Sequence, residues 1–129
     1  MTNIHESYEN YLKAIYLISK NNKGGWISNL EISNFLNVKP SSVTNMLYNL
    51  KAHELIDWRP RKSIRLTKKG KEIALYIIQN YNSLFKFFSH VLKLKNKNLV
   101  QKLSCEIEHY INPEVSNALE NLILKSYYY

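Results

Sequence analysis

Apolar side chains recur every three or four positions along most of the chain, a spacing that is typical of amphipathic α-helices. This pattern predicts a first helix over about residues 6–20. Ser28 and Glu31 have the spacing of a capping box, so they predict the start of a short second helix. Pro40 suits the first position of a third helix, where the N–H that proline lacks would be unpaired anyway. The apolar positions of this third helix face inward; they are Val43, Leu47 and Leu50.

Residues 55–67 change from helical spacing to alternation, which predicts two β-strands joined by a turn at 60–62. The alternating apolar residues on one face of this hairpin are Ile56, Trp58, Ile64 and Leu66. By spacing alone, the two short helices before it could form an ordinary helical hairpin with a solvated face. The hairpin that follows them favours a winged helix-turn-helix instead, a fold that places its recognition helix in the DNA major groove.

The rest of the chain predicts three more helices. The first covers about residues 68–92, the next runs from Asn96 or Asn98 to Tyr110, and the last begins at Pro113. Apolar residues lie on nearly every side of the 68–92 helix, and such a helix must be buried on several sides. We therefore expect a second subunit to cover part of it, in a homodimer.

The predicted fold class is mainly α, with an N-terminal winged helix-turn-helix at 1–70 and an all-helical dimerisation domain at 71–129. Only 3 Gly and 3 Pro among 129 residues argue against a many-turned all-β chain. A single Cys excludes an internal disulfide and suits a reducing compartment. No stretch is apolar enough for a bilayer, and the N-terminus lacks the pattern of an export signal. We expect a cytoplasmic protein without membrane association.

Basic charge is concentrated in one part of the chain. Eighteen Lys and Arg against ten Asp and Glu give a net charge of +8. Residues 39–71 hold nine of the basic residues against only Glu54 and Asp57, so almost the whole excess lies there. Lysines that merely solvate a surface would be spread more evenly, whereas a local basic excess favours a polyanionic partner through counterion release. This pattern predicts binding to double-stranded DNA, and nothing in the sequence supports an enzyme.

The candidate DNA contacts fall into two groups. The outward face of the third helix has compact polar side chains that could meet base edges in a major groove. The hairpin tip and its outer face are basic, which suits phosphates or a minor groove. The helix group is Lys39, Pro40, Ser41, Ser42, Thr44, Asn45 and Tyr48, and the hairpin group is Arg59, Arg61, Lys62 and Arg65.

Cys105, Glu108 and His109 have the spacing i, i+3 and i+4, which places three side chains on one face of the fifth predicted helix. A thiolate, a carboxylate and an imidazole within one turn are suitable ligands for a divalent transition metal, although three ligands leave the site incomplete. Spacing alone leaves another interpretation open. A lone Cys is commonly a small buried apolar residue, and a Glu–His pair is commonly structural.

Four sequence blocks resemble the diphtheria toxin repressor (iron-dependent repressor) family, in its order and spacing, over about residues 5–124. The blocks are Glu9–Tyr16, Val38–Thr44, Leu66–Gly70 and Cys105–His109. The resemblance implies a homodimeric repressor that binds a pseudo-palindromic operator and uses a divalent metal as co-repressor. It also implies a short form, without the C-terminal SH3-like domain of longer members.

The same resemblance implies a ligand set for one metal ion per subunit. Asn10 takes the place of the first-helix ligand, beside Cys105, Glu108 and His109 on the fifth helix. The cysteine, and Lys13 where manganese-type members have a ligating Glu, both resemble the iron-type branch. Fe²⁺ is therefore the expected metal, with Co²⁺, Ni²⁺, Zn²⁺ or Mn²⁺ as alternatives. The positions of the family's second metal site lack ligands in this chain; they are Tyr81, Phe85 and Gln101.

Three functions remain open from the sequence. The first is a metal-dependent transcriptional repressor. The second is a winged-helix DNA-binding regulator that has lost metal dependence and acts constitutively or on another signal. The third is a helical dimer that serves as a protein-interaction module and uses its basic face for acidic partners. Sequence-selective, salt-dependent duplex binding would exclude the third.

Overall fold

A computed structural model describes residues 6–59 and 63–128 of the chain. The elements found there are α1 (Glu6–Ser19), α2 (Asn29–Leu36), α3 (Pro40–Ala52), β1 (Ile56–Arg59), β2 (Ser63–Leu66), α4 (Lys68–Lys86), α5 (Lys97–Ile107) and α6 (Pro113–Ser126). This order confirms the predicted fold class: mainly α, with the winged helix-turn-helix first and helices after it. The fold divides into two compact units, one ending at Leu75 and the other beginning at Tyr76.

Local sequence signals start the short helices of the N-terminal unit. The Ser28 hydroxyl accepts a hydrogen bond from the Glu31 N–H at 3.1 Å, and the Glu31 carboxylate accepts one from the Ser28 N–H at 3.0 Å. This reciprocal pair is the predicted capping box, and it satisfies two N–H groups that a helix start leaves unpaired. Helix α2 ends at Asn37, whose φ of 55° is left-handed, a conformation that asparagine tolerates better than most residues. Pro40 then opens α3.

One apolar cluster joins the helices and the sheet of the N-terminal unit. Its fully buried side chains include Leu12, Ile15, Ile32, Val43, Leu47, Leu50 and Leu55. Burying each aliphatic side chain of this size contributes about 1.5–3 kcal/mol of hydrophobic free energy. The predicted inward residues of α3 are thus the ones that the core contains, and its polar residues are left on the outside.

The sheet is an antiparallel hairpin in which Ile56 pairs with Leu66 and Trp58 with Ile64, as the alternation predicted. Ile27 extends it, since its N–H and C=O bond the backbone of Ile64 at 2.9 and 2.8 Å. The hairpin leads into α4, where the Thr67 hydroxyl accepts a hydrogen bond from the Gly70 N–H at 3.1 Å.

Gly70 occupies a position that only glycine fits. A Cβ built there would lie 2.1 Å from the carbonyl oxygen of Leu55, far inside van der Waals contact. The absence of a side chain therefore lets the first turn of α4 pack against the strand entrance.

The C-terminal unit differs from the sequence expectation at two helix ends. The regular α4 stops at Lys86, and a wider π-helical turn covers Phe87–Val91, in which the Leu92 N–H bonds the carbonyl of Phe87. Helix α5 ends at Ile107, and Glu108–Tyr110 form a 3₁₀ turn instead of continuing the α-helix. Hydrophobic periodicity does not distinguish these tighter or wider turns from an α-helix, because the apolar spacing barely changes.

Asparagine side chains cap the last two helices and show where each helix begins. The Asn96 side chain accepts from the Leu99 N–H at 3.1 Å, so α5 starts after Asn96 rather than at Asn98. Asn112 caps α6 in the same way through the N–H of Val115 at 2.9 Å, as predicted. Among the described residues, no helix combines the length and the apolar character needed to cross a membrane.

Candidate nucleic-acid interface and metal centre

Helix α3 presents a polar outer surface above its buried apolar row. Ser41, Ser42 and Asn45 are exposed, and Lys39 precedes them at the helix N-cap position. Their short side chains leave the backbone close to the surface, so a groove of B-DNA can approach the helix. The residues that the sequence selected on this helix thus lie together on one exposed face.

Thr44 differs from its neighbours because its hydroxyl is already engaged. It donates to the carbonyl of Pro40 at 3.1 Å and accepts from the Asn29 side-chain amide at 2.9 Å. The Asn29 amide also approaches the Pro40 carbonyl at 3.4 Å. These bonds connect the start of α2 to the first turn of α3, so Thr44 holds the two helices together at this point.

Tyr48 connects α3 to the hairpin. Its ring meets the Trp58 ring edge to face, with centroids 4.8 Å apart, while the tyrosine remains 63% exposed. An aromatic pair of this geometry contributes about 0.5–1.5 kcal/mol beyond the burial of its surface, so it stabilises the packing of the hairpin against the helix. Trp58 was predicted only as an inward residue of the strand, and the sequence contains no signal for this partner.

The described arginines of the hairpin gather around one tryptophan. The guanidinium of Arg65 lies 4.4 Å from the ring centroid of Trp26, and that of Arg59 lies 5.4 Å from it. Such cation–π contacts restrict long side chains that would otherwise sample many rotamers. Arg61 and Lys62, at the predicted hairpin tip, lie outside the described residues.

Trp26 is a residue that sequence reasoning missed. It stands in the connection between α1 and α2, without a periodic apolar pattern around it, and its arginine partners are more than thirty positions later. The available signal was weak: a lone tryptophan next to Gly24 and Gly25, in a chain whose basic residues are concentrated in the hairpin.

In the C-terminal unit, two of the predicted metal ligands lie together in the interior. The side chains of Glu108 and His109 are only 1% and 3% exposed, and Glu108 Oε2 lies 3.6 Å from His109 Nε2. This distance exceeds a hydrogen bond. Two atoms that bind one tetrahedral transition-metal ion at about 2.0–2.2 Å lie roughly 3.4 Å apart, so the pair suits a shared ion.

Cys105 is exposed on the last turn of α5, before the 3₁₀ turn that contains the other two. Cys105 and Glu108 nevertheless both lie near Tyr81 of α4. Burial raises the pKa of Tyr81, and the negative charges of Cys105 and Glu108 raise it further. Among the described residues, no three His, Cys, Asp or Glu side chains are grouped closely enough to enclose a metal. A thiolate, a carboxylate and an imidazole are suitable ligands for a transition metal, and the structure brings Glu108 and His109 together.

The fourth predicted ligand belongs to the N-terminal unit. Asn10 is exposed on α1, where it lines a cavity of about 240 Å³ with Lys13 and Phe35. Its amide oxygen is a neutral donor, weaker for a divalent cation than a carboxylate or a thiolate.

Residues 3–64 match the family described as "Iron dependent repressor, N-terminal DNA binding domain". Residues 67–125 match "Iron dependent repressor, metal binding and dimerisation domain". The chain belongs to the iron-dependent repressor family. This result confirms the resemblance seen in the four sequence blocks. The family consists of metal-dependent transcriptional regulators, which are DNA-binding proteins rather than enzymes.

Two relatives are similar over nearly the whole chain. The uncharacterized HTH-type transcriptional regulator MJ0568 of Methanocaldococcus jannaschii is 34% identical over 115 residues, which are 89% of this chain and 90% of the relative. The HTH-type transcriptional regulator MntR of Geobacillus thermodenitrificans is 26% identical, over 91% of this chain and 80% of that protein.

A solved structure of ScaR with bound Zn²⁺ superposes with a TM-score of 0.75 and is 25% identical. The match covers 90% of this chain but 53% of the ScaR chain, so the present chain spans about half the length of that protein.

Proposed function

We propose that this chain is a metal-dependent transcriptional repressor that binds an operator as a homodimer and responds to an iron-type divalent cation. The observation that supports it best is the buried Glu108–His109 pair, whose nitrogen and oxygen are 3.6 Å apart. A carboxylate and an imidazole are both ligands for transition metals, and their 3.6 Å separation allows them to share one ion. A bound transition metal would take Glu108 and His109 as two of its ligands.

The DNA-binding role is assigned to residues 1–70, in which α3 enters the major groove. Ser41, Ser42, Thr44, Asn45 and Tyr48 are proposed to reach base edges or nearby phosphates, with Lys39 and Pro40 at the helix start. Arg59 and Arg65, together with Arg61 and Lys62, are proposed to contact the backbone beside this groove. The support is the exposed polar face of α3 and the ring contact that connects it to the hairpin.

The metal-binding and dimerising role is assigned to residues 71–129. The proposed ligands are Cys105, Glu108 and His109, with Asn10 as the fourth. Thiolate and imidazole donors favour Fe²⁺, Co²⁺, Ni²⁺ or Zn²⁺ over Mn²⁺. The names of similar proteins include a manganese regulator and a structure of ScaR with bound Zn²⁺. The expectation of iron within this group of metals comes from the resemblance of Cys105 and Lys13 to the iron-type branch.

Metal binding and DNA binding would then be coupled. If the ion favours the conformation that meets both operator half-sites, metal strengthens DNA binding, and DNA must strengthen metal binding by the same factor. The homodimer would match the two-fold symmetry of a pseudo-palindromic operator.

A cobalt titration tests the ligand assignment. The reduced protein is titrated anaerobically with Co²⁺ while the near-ultraviolet absorbance is followed, beside Cys105→Ala and Glu108→Gln. We expect a saturable thiolate-to-cobalt charge-transfer band, absent in Cys105→Ala and weakened in Glu108→Gln. A folded wild-type protein without this band would contradict the assignment of Cys105.

One observation favours a second candidate function, DNA binding without metal dependence. Cys105 is exposed whereas Glu108 and His109 are buried, and the described part of the chain contains no enclosed three-ligand group. In that case Glu108 and His109 would be a structural pair. Equal DNA affinity with Fe²⁺ and with a chelator would favour this candidate.

A further inference from the structure

The N-terminal unit contains a basic cavity of which the proposed function uses only Arg65. It has a volume of about 320 Å³ and lies where the end of α1, the 23–25 turn, β2 and the start of α4 meet. Three cations line it: Lys20, directly after α1, Arg65 of β2 and Lys71 of α4. No carboxylate occurs among the described residues of the lining. The three positive charges therefore surround one open cavity without a lining acid to neutralise them.

Arg65, which lines this cavity, is not on the face of the sheet that meets the recognition helix. Trp58, which touches Tyr48 of α3, pairs with Ile64 across the hairpin. Successive residues of a strand point to opposite faces, so Arg65 is on the other side of the sheet from Ile64. No residue of α3 lines the cavity, so the cavity and the polar face of α3 are separate surfaces of the same unit.

Arg65 is held in place before any ligand arrives. Its guanidinium stacks 4.4 Å from the centroid of Trp26, and it approaches the Asp57 carboxylate only at 3.9 Å, with both side chains nearly half exposed. A solvent-exposed ion pair at that distance is weak. The stacked guanidinium keeps most of its charge available and loses little rotamer freedom on binding an anion.

The two glycines of the lining leave the backbone accessible from the cavity. Gly24 and Gly25 both have left-handed φ angles, 75° and 76°, which side chains rarely adopt. Without Cβ atoms there, an anion can approach the main chain between the cations. The guanidinium of arginine binds phosphate oxygens with two parallel N–H groups, and the ammonium of lysine binds them as a point charge. Both kinds of cation line this cavity beside accessible backbone.

We propose that this cavity binds a phosphate group through Lys20, Arg65 and Lys71. The group belongs either to the backbone of bound DNA or to a free phosphate or small phosphorylated molecule, because the recognising chemistry is the same. The DNA source rests on the proposed function, whereas the free-phosphate source does not.

The first arm of the test uses inorganic phosphate. The chain has 2 Trp, so Trp58→Phe leaves Trp26, beside Arg65, as the single reporter. In that background we expect a saturable change of fluorescence with phosphate at constant ionic strength. Lys71→Ala or Lys20→Ala should weaken binding about tenfold or more, since each removes a charge-assisted contact. Lys68→Ala, three positions away on α4, is the matched control, and Lys71→Arg should retain binding.

The second arm measures the salt dependence of duplex binding with an otherwise wild-type chain. If a DNA phosphate occupies the cavity, Lys71→Ala lowers the slope of log affinity against log salt by about 0.9, and Lys68→Ala does not. If only free phosphate binds, the slopes agree and the first arm alone is positive. Asn45→Ala, on α3, tests the base-contact proposal separately and should leave the phosphate titration unchanged. If Lys71→Ala and Lys68→Ala behave alike in both arms, the proposal is wrong.

Discussion

Tyr48 and Trp58 meet edge to face, and this contact joins the exposed face of the recognition helix to the hairpin. The tyrosine projects from α3 and the tryptophan from β1, so one aromatic pair positions two predicted DNA-binding elements relative to each other. Because Tyr48 is largely exposed, most of its effect should appear in DNA binding rather than in folding.

Tyr48→Ala should therefore weaken duplex binding more than it lowers stability. Losing the edge-to-face contact costs about 0.5–1.5 kcal/mol of free energy of unfolding. Tyr48→Phe is the matched control, because it keeps the ring and removes only the hydroxyl. Chemical denaturation and duplex affinity measured on both variants check this. Equal loss of DNA affinity in the two would assign the role to the hydroxyl instead of the ring.

Gly70→Ala should destabilise the N-terminal unit strongly. The added Cβ would lie 2.1 Å from the Leu55 carbonyl oxygen, so backbone must move to admit it. Overpacking of this kind lowers the free energy of unfolding by about 1–3 kcal/mol. Because the backbone must move here, we expect a loss near the upper end of this range. Thermal unfolding measures the effect. A Tm within a degree of the wild type would show that the approach of α4 to the strand is looser than described.

The capping box predicts a pH dependence of stability. A hydrogen bond from the Asn22 side chain, together with hydrogen bonds from Ser28, holds the pKa of Glu31 below its ordinary value, although burial opposes this. A folded-state pKa below the unfolded one adds stability above the unfolded value, about 4.3, which is lost as pH falls through the folded value. Glu31→Gln should therefore reduce the acid-induced loss of stability below about pH 4. Denaturant midpoints at pH 7 and pH 3 test it, and an unchanged difference between the two would contradict it.

Asn45→Ala should reduce sequence discrimination more than overall duplex binding. Its exposed amide on α3 can pair with base edges, and losing one such pair costs about 1–3 kcal/mol of specificity. Lys39→Ala is the contrasting variant, since loss of a phosphate contact weakens all sequences alike. Affinities for a selected operator and a scrambled duplex distinguish the two. Uniform weakening by Asn45→Ala would place that residue on the backbone.

The sequence predicted those helices and strands that depend on residues close together in the chain. The capping box at Ser28, Pro40 at the start of α3 and the alternation of the hairpin are all short-range signals, and the structure confirms them. The ends of α4 and α5 were predicted too far along, because a π turn and a 3₁₀ turn keep nearly the same apolar spacing as an α-helix.

Contacts between positions far apart in the chain could not be predicted from the sequence. Trp26 stacks with Arg59 and Arg65 only after the sheet has formed, and no spacing rule connects these residues. The different exposure of Cys105 and Glu108 was also not predictable, because their spacing suits one helical face only if the α-helix continues through both. The metal ligands and DNA contacts therefore stay predictions.

The central claim is that metal binding at Glu108 and His109 strengthens DNA binding. The most direct measurement is the affinity for an operator selected from random duplexes, determined anaerobically with Fe²⁺ and with a chelator, for wild type and Glu108→Gln. The account predicts that Fe²⁺ tightens wild-type binding by about 5- to 150-fold, the usual range of such coupling, and tightens the variant far less. Equal wild-type affinity with and without Fe²⁺, in a folded protein that selects a sequence, would contradict it.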